Sequence, residues 1–229
     1  MHTHPTRLFP ALALSLTLLA GAPAQAELPS PTLSQAMASY TRGDIQAARH
    51  ALQALSRQGV PAADYNLGVM ALDAGQPQDA ARWMQRAAER GFVTAMLGLG
   101  RLHDTGRLHP RGRPDPTQAQ RWFLPAAEAG SVDAMVEVGT AFYLGRGAAK
   151  DLAAAAHWYR EAAKGGDIGA QYLIASMYEA GDGVSRDLRL ARYWYGVAAA
   201  NGDEAAPGKL AALERAEHAE HAESGDRSD

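Results

Sequence analysis

The chain has 229 residues, a composition ordinary for a soluble globular protein, and a formal net charge of −3. That balance supplies no basic surface for gripping a phosphate backbone, so nucleic acid is not an expected partner. Cysteine is absent, which excludes disulfides, thiolate metal sites, a cysteine nucleophile and a lipid-modified N-terminal cysteine.

The first element in chain order is a targeting segment. Arg7 precedes an apolar run at 8–20, and Ala24-Gln25-Ala26 then offers a small-x-small cleavage site. This order predicts a secretory signal over 1–26, removed after Ala26, and a mature protein that is periplasmic or secreted. The run is shorter than the ~20 residues a spanning helix needs, so no membrane span is expected after cleavage. An uncleaved anchor is the alternative.

The rest of the chain repeats. Tryptophan recurs at Trp83, Trp122, Trp158 and Trp194, each preceded at three residues by alanine (Ala80, Ala119, Ala155, Ala191). Two alanines follow each one, as in Ala162 and Ala163 after Trp158, and a glycine closes the unit at Gly91, Gly130, Gly166 and Gly202. A period of roughly 30 to 40 residues marks stacked helix pairs. Four residues after the closing glycine stands an alanine (Ala63, Ala95, Ala134, Ala170). Counting from it, an aliphatic follows at plus four and a small residue at plus five: Leu67 and Gly68, Leu99 and Gly100, Val138 and Gly139, Ile174 and Ala175. These positions share one face of a helix. Each unit is therefore predicted as a helix A, a turn, and a helix B carrying the tryptophan. The small residue at plus five is expected to let helix B approach with its leading alanine, and the tryptophans are expected to pack in the core.

The expected units run 33–59, 62–91, 93–130, 132–166 and 168–202, within a repeat domain at 33–203. A capping helix follows at 204–223 and a disordered tail at 224–229. The first unit is an atypical terminal copy with Ala51 in the tryptophan slot. The turns LGRGAAKD (144–151) and AGDGVSRD (180–187) each hold two glycines for positive φ and end in an aspartate that caps helix B. The longest turn ends with Asp115 as cap and Pro116 at the first helical position.

The strings at 134–167 and 170–203, with their GxG turns and their WYREAAKGG and WYGVAAANG second helices, resemble Sel-one-like repeats, relatives of the tetratricopeptide repeat. The resemblance is close over 132–202, good over 93–130 and intermediate before that. It implies an all-α, right-handed solenoid of about five helix-turn-helix repeats in which helix A lines the concave face. It also implies a non-catalytic adaptor that binds a protein or peptide in the cell envelope, in envelope assembly, cell-wall regulation or host interaction. The alternative it leaves open is a weak hydrolase or binder of peptidoglycan or β-lactams, although the members linked to β-lactams are cysteine-rich.

No GxSxG, SxxK or HExxH occurs, and the glycine pairs lack the strand and the lysine of a nucleotide loop. No cofactor, metal or catalytic residue is expected. His218 and His221 on the terminal helix read as a solvated helix end, and His103 and His109 as partly exposed histidines. The side chains of helix A at plus two, six and nine are free of the buried face. They nominate Tyr65, Arg101, Asp104, Thr140, Tyr143, Tyr172, Ser176 and Glu179 as the partner-binding set, with Leu97 in the same slots. For Tyr143 and Tyr172, packing between repeats is an equal alternative. The oligomeric state is not readable from these residues.

Overall fold

The computed structural model describes residues 32–226, with side chains through 216; the expected signal peptide lies outside the described residues. The described residues form eleven helices and no strand. They pair as α1 (Leu33–Thr41) with α2 (Ile45–Arg57), α3 (Pro61–Asp73) with α4 (Pro77–Glu89), and α5 (Val93–Asp104) with α6 (Pro116–Glu128). Next come α7 (Val132–Leu144) with α8 (Leu152–Lys164) and α9 (Ile168–Ala180) with α10 (Leu188–Ala200), and α11 (Ala206–Asp226) closes the stack. Each helix packs on its neighbours in sequence, within a unit and into the next. This is the helical solenoid expected from the repeats. The terminal helix reaches Asp226, into the stretch expected as a frayed tail.

Local chemistry sets the helix ends. Asp115, Asp151 and Asp187 accept hydrogen bonds from Gln118 N (3.0 Å), Ala154 N (2.9 Å) and Leu190 N (3.1 Å), capping helix B of the last three units as expected. Asp167 and Ser131 cap helix A of the last two units in the same way. Asp203 accepts from Ala206 N at 2.8 Å, so the start of α11 repeats the start of a helix A.

The alternation of small and large residues builds the core. Ala63, Ala95, Ala134 and Ala170 are fully buried, as are Ala80, Ala155 and Ala191 facing them. The plus-five residue faces the residue after the tryptophan. A Cβ on Gly100 would fall 2.2 Å from the Phe123 ring, one on Gly139 2.9 Å from Tyr159, and one on Gly68 2.8 Å from Met84. The aromatic or methionine at that slot fills the space the missing Cβ leaves.

This corrects the expectation for the tryptophans. All four are only half-buried, while their successors Met84, Phe123, Tyr159 and Tyr195 are at most 4% exposed. Trp83, Trp122 and Trp158 pack against clusters that include helix B of the preceding unit. The tryptophan thus seals the seam between units, and its successor fills the centre.

Candidate functional site

The nominated residues sit on helices A, and the structure sorts them into three places. Tyr65 on α3 is half-buried, its ring 5.4 Å from that of Phe92 at the start of the next unit. Leu97, in the equivalent slot of α5, is buried and offers no surface. It belongs to the core, because the following unit closes over it.

The second place is a polar seam from α5 to α7. The Arg101 guanidinium meets Asp133 at 2.9 Å and Glu137 at 3.8 Å, and Arg146 from the GxG turn meets Asp104 at 2.6 Å. Thr140 donates to Val136 O in its own helix (2.8 Å) and lies 3.0 Å from the Tyr159 hydroxyl. Burial pushes the Glu137 carboxyl up, with Arg101 opposing that shift, and burial likewise pushes the Tyr159 hydroxyl up. Asp104, Glu137, Thr140 and Arg146 also line a cavity of about 30 Å³. Beside this seam Tyr143 is 37% exposed, and its ring carries the Lys150 ammonium at 5.9 Å.

The third place joins α9, α10 and α11. Tyr172 is half-buried and stands edge-on to Tyr195, with ring centroids 5.1 Å apart. The Tyr195 hydroxyl donates to Glu179 at 2.7 Å, and the Lys209 ammonium of α11 lies 3.1 Å from the same carboxylate. Burial works against ionisation of Glu179, but these two partners outweigh it and hold the carboxyl below its usual range. Burial and the Glu179 carboxylate push the Tyr195 hydroxyl well up, with a smaller opposing hydrogen bond from Ser176. Tyr172, Ser176 and Glu179 therefore come together around Tyr195, and Glu179 ties α11 to the stack through Lys209.

Sequence reasoning missed Glu137, Arg146, Tyr159 and Lys209 as members of these networks. Tyr159 had a signal, since it follows the tryptophan in the repeat frame; Arg146 had one in its place between the turn glycines. The buried Asp64 gave none. It is fully enclosed, accepts from the Ser56 hydroxyl (2.6 Å), and pairs with Arg86 of α4 (3.5 Å) and with Arg90 just past the end of that helix (2.7 Å). His103 is half-buried, and burial lowers its pKa against the opposing pull of Asp115. His218 and His221 lie on the part of α11 whose side chains are outside the described residues.

No helix among the described residues is long and apolar enough to cross a membrane. Among those residues no cluster of histidine and carboxylate side chains has the geometry to hold a metal ion. The seams offer charge pairs and an exposed ring, the chemistry of reversible recognition.

The family model described as Sel1 repeat matches residues 61–92, 93–131, 132–167 and 168–203, more than half of the chain. Among solved structures, a protective antigen present in uropathogenic Escherichia coli strains, displaying an SLR fold, superposes with a TM-score of 0.69 at 27% identity. That likeness covers 78% of this chain and 39% of the antigen. A Sel1 repeat protein from Oxalobacter formigenes superposes with a TM-score of 0.64 at 30% identity, over 72% of this chain and 49% of that one. The chain thus spans less than half the length of either structure. No curated protein matches its sequence.

Proposed function

The chain belongs to the Sel1 repeat family, and on that premise we propose that it is an exported, non-catalytic adaptor. Sel1 repeat proteins are generally protein–protein interaction scaffolds. The reading proposed for this chain is that helix A of successive units presents a concave surface to a protein or peptide of the cell envelope. One observation carries the choice of place: Tyr143, 37% exposed, stands beside the charged seam of Arg101, Asp104 and Arg146. An exposed aromatic with an ammonium over its ring and a charged seam nearby has the composition of an interface hot spot with its polar rim.

Tyr143→Ala tests the surface. Recovery of a specific partner from an envelope extract, followed by titration of that partner, is expected to show affinity lowered by over about 1 kcal/mol, roughly fivefold or more. The fold is expected to survive, because the ring is exposed. Undiminished affinity in Tyr143→Ala, or turnover of nitrocefin or peptidoglycan that one substitution abolishes, would sink the adaptor reading.

Export is a separate proposal, supported by Arg7, the apolar run and Ala24-Gln25-Ala26. N-terminal sequencing of the protein recovered from the envelope fraction is expected to begin at Glu27. Recovery of the chain only from the cytoplasm, with Met1 intact, would overturn it.

A further inference from the structure

Trp83 has surroundings unlike those of the other three tryptophans. It packs against α2 of the preceding unit, where Arg49 and Arg57 flank it. The repeat frame puts Ala81 and Glu89 in those two slots before Trp122, Gln120 and Glu128 before Trp158, and Ala156 and Lys164 before Trp194. On its own helix Trp83 is bracketed by Arg82 and Arg86, where Trp122 has Arg121 and Pro125, Trp158 has His157 and Glu161, and Trp194 has Tyr193 and Val197. Four arginines converge on this one indole.

Their charge is not matched. Arg82 pairs with Asp79, and Arg86 shares the buried Asp64 with Arg90. Arg49 and Arg57 make no ion pair among the described residues; Arg57 only donates to Gln53 O in its own helix. The Arg86 guanidinium lies 4.9 Å from the indole centroid, which keeps the ring oriented at the surface. Three recesses, of about 130, 280 and 450 Å³, open side by side at Trp83. The smallest has an apolar floor of Leu67, Met70 and Ala71 from α3. Its rim carries Arg49, Gln53, Gln76 and Asp79. Apolar depth beneath cationic edges, extended between two helices, is the form of a groove for a chain, not for a point anion.

We propose that the groove at Trp83, between α2 and α4, binds an acidic peptide segment of a protein partner. An aliphatic side chain of that segment enters the recess over Leu67 and Met70, and its carboxylates meet Arg49 and Arg57, whose forked donors match a carboxylate. The groove lies on the helix-B side, so it is a second recognition surface, independent of the helix-A face.

The full chain is titrated into two fluorescein-labelled peptides, one alternating glutamate and leucine and the other alternating lysine and leucine, with anisotropy as the readout. The glutamate–leucine peptide is expected to bind, more weakly as salt rises, and the lysine–leucine peptide not to bind. Arg49→Glu/Arg57→Glu is expected to weaken binding at least about tenfold, and Arg57→Gln alone, at an exposed position, about threefold. Far-UV circular dichroism of both variants is expected to match the parent. If the double variant misfolds, Arg57→Gln decides alone. Unchanged binding in the decisive variant, equal binding of the lysine peptide, or no binding of the glutamate–leucine peptide at millimolar concentration would overturn the proposal. So would equal competition by inorganic phosphate, which would mark a plain anion site. Tyr143→Ala is expected to leave this binding unchanged, so the groove and the helix-A surface fail separately.

Discussion

Tyr195→Ala is expected to destabilise the protein by about 3–5 kcal/mol, the range for emptying a large aromatic site in a packed core. Tyr195 is fully buried, the largest side chain so enclosed among the described residues. Its ring meets Tyr172 edge-on, and its hydroxyl reaches Glu179 at 2.7 Å. The neighbouring Trp194→Ala is expected to cost less, about 1.5–3 kcal/mol, although more atoms are deleted. Trp194 is only half-buried, and the lost transfer energy scales with area removed from water. Tyr195→Phe separates packing from polarity and is expected to cost about 1 kcal/mol for the hydrogen bond. Urea denaturation followed by far-UV circular dichroism measures all three. A Trp194→Ala cost equal to or above that of Tyr195→Ala would refute the assignment of the centre to the residue after the tryptophan.

Gly183→Ala is expected to cost about 2–5 kcal/mol, against about 1–2 kcal/mol for Gly181→Ala two residues earlier. Both glycines have positive φ, +83° at Gly181 and +68° at Gly183, and an alanine there bears the left-handed penalty of about 1–2 kcal/mol. Their surroundings differ. A Cβ on Gly181 would lie 3.3 Å from the Arg186 Cβ and 3.6 Å from its backbone N, a contact that a shift of a few tenths of an ångström relieves, whereas one on Gly183 would lie 2.1 Å from Leu152 O of the preceding unit. Backbone at the start of α8 cannot retreat without moving the unit, which adds about 1–3 kcal/mol of overpacking. Gly147 repeats the contact one unit earlier, at 2.2 Å from Pro116 O. Equal melting shifts in the two alanine variants would remove the distinction between a turn glycine and a stacking glycine.

The element plan was legible because its causes are local and recur in each unit. Asp115, Asp151 and Asp187 cap helices through bonds to backbone two or three residues away, so the residue type at the right offset was enough. The buried face of helix A was legible for the same reason: Ala134, Val138 and Gly139 repeat at helical spacing and all lie inside. The candidate binding face was legible only in part. Of the two tyrosines for which spacing left surface and packing equal, Tyr143 is exposed and Tyr172 leans on Tyr195, while Leu97 in the same set of slots is core. Helical spacing says which side of its own helix a residue occupies, and the neighbouring unit decides whether that side meets water.

By itself, then, the sequence determined the repeat, the helix pairs, their caps and the small residues where helices cross, since each follows from contacts within one unit. Tertiary structure alone decided which of two adjacent aromatics is the centre. Trp194 and Tyr195 are about 100° apart on one helix, both at the edge of its apolar stripe, and only the stack turns one inward to Ala175 and Glu179 and leaves the other at the seam. The same holds for Asp64, whose buried carboxylate is tolerable only because Arg86 and Arg90 reach back from the next helix and its C-terminal end. It holds again for the arginines around Trp83, gathered from two units that no local rule connects. Interactions within a unit repeat with the sequence period and can be read from it; interactions between units depend on how one unit is set against the next, which is a property of the packed solenoid.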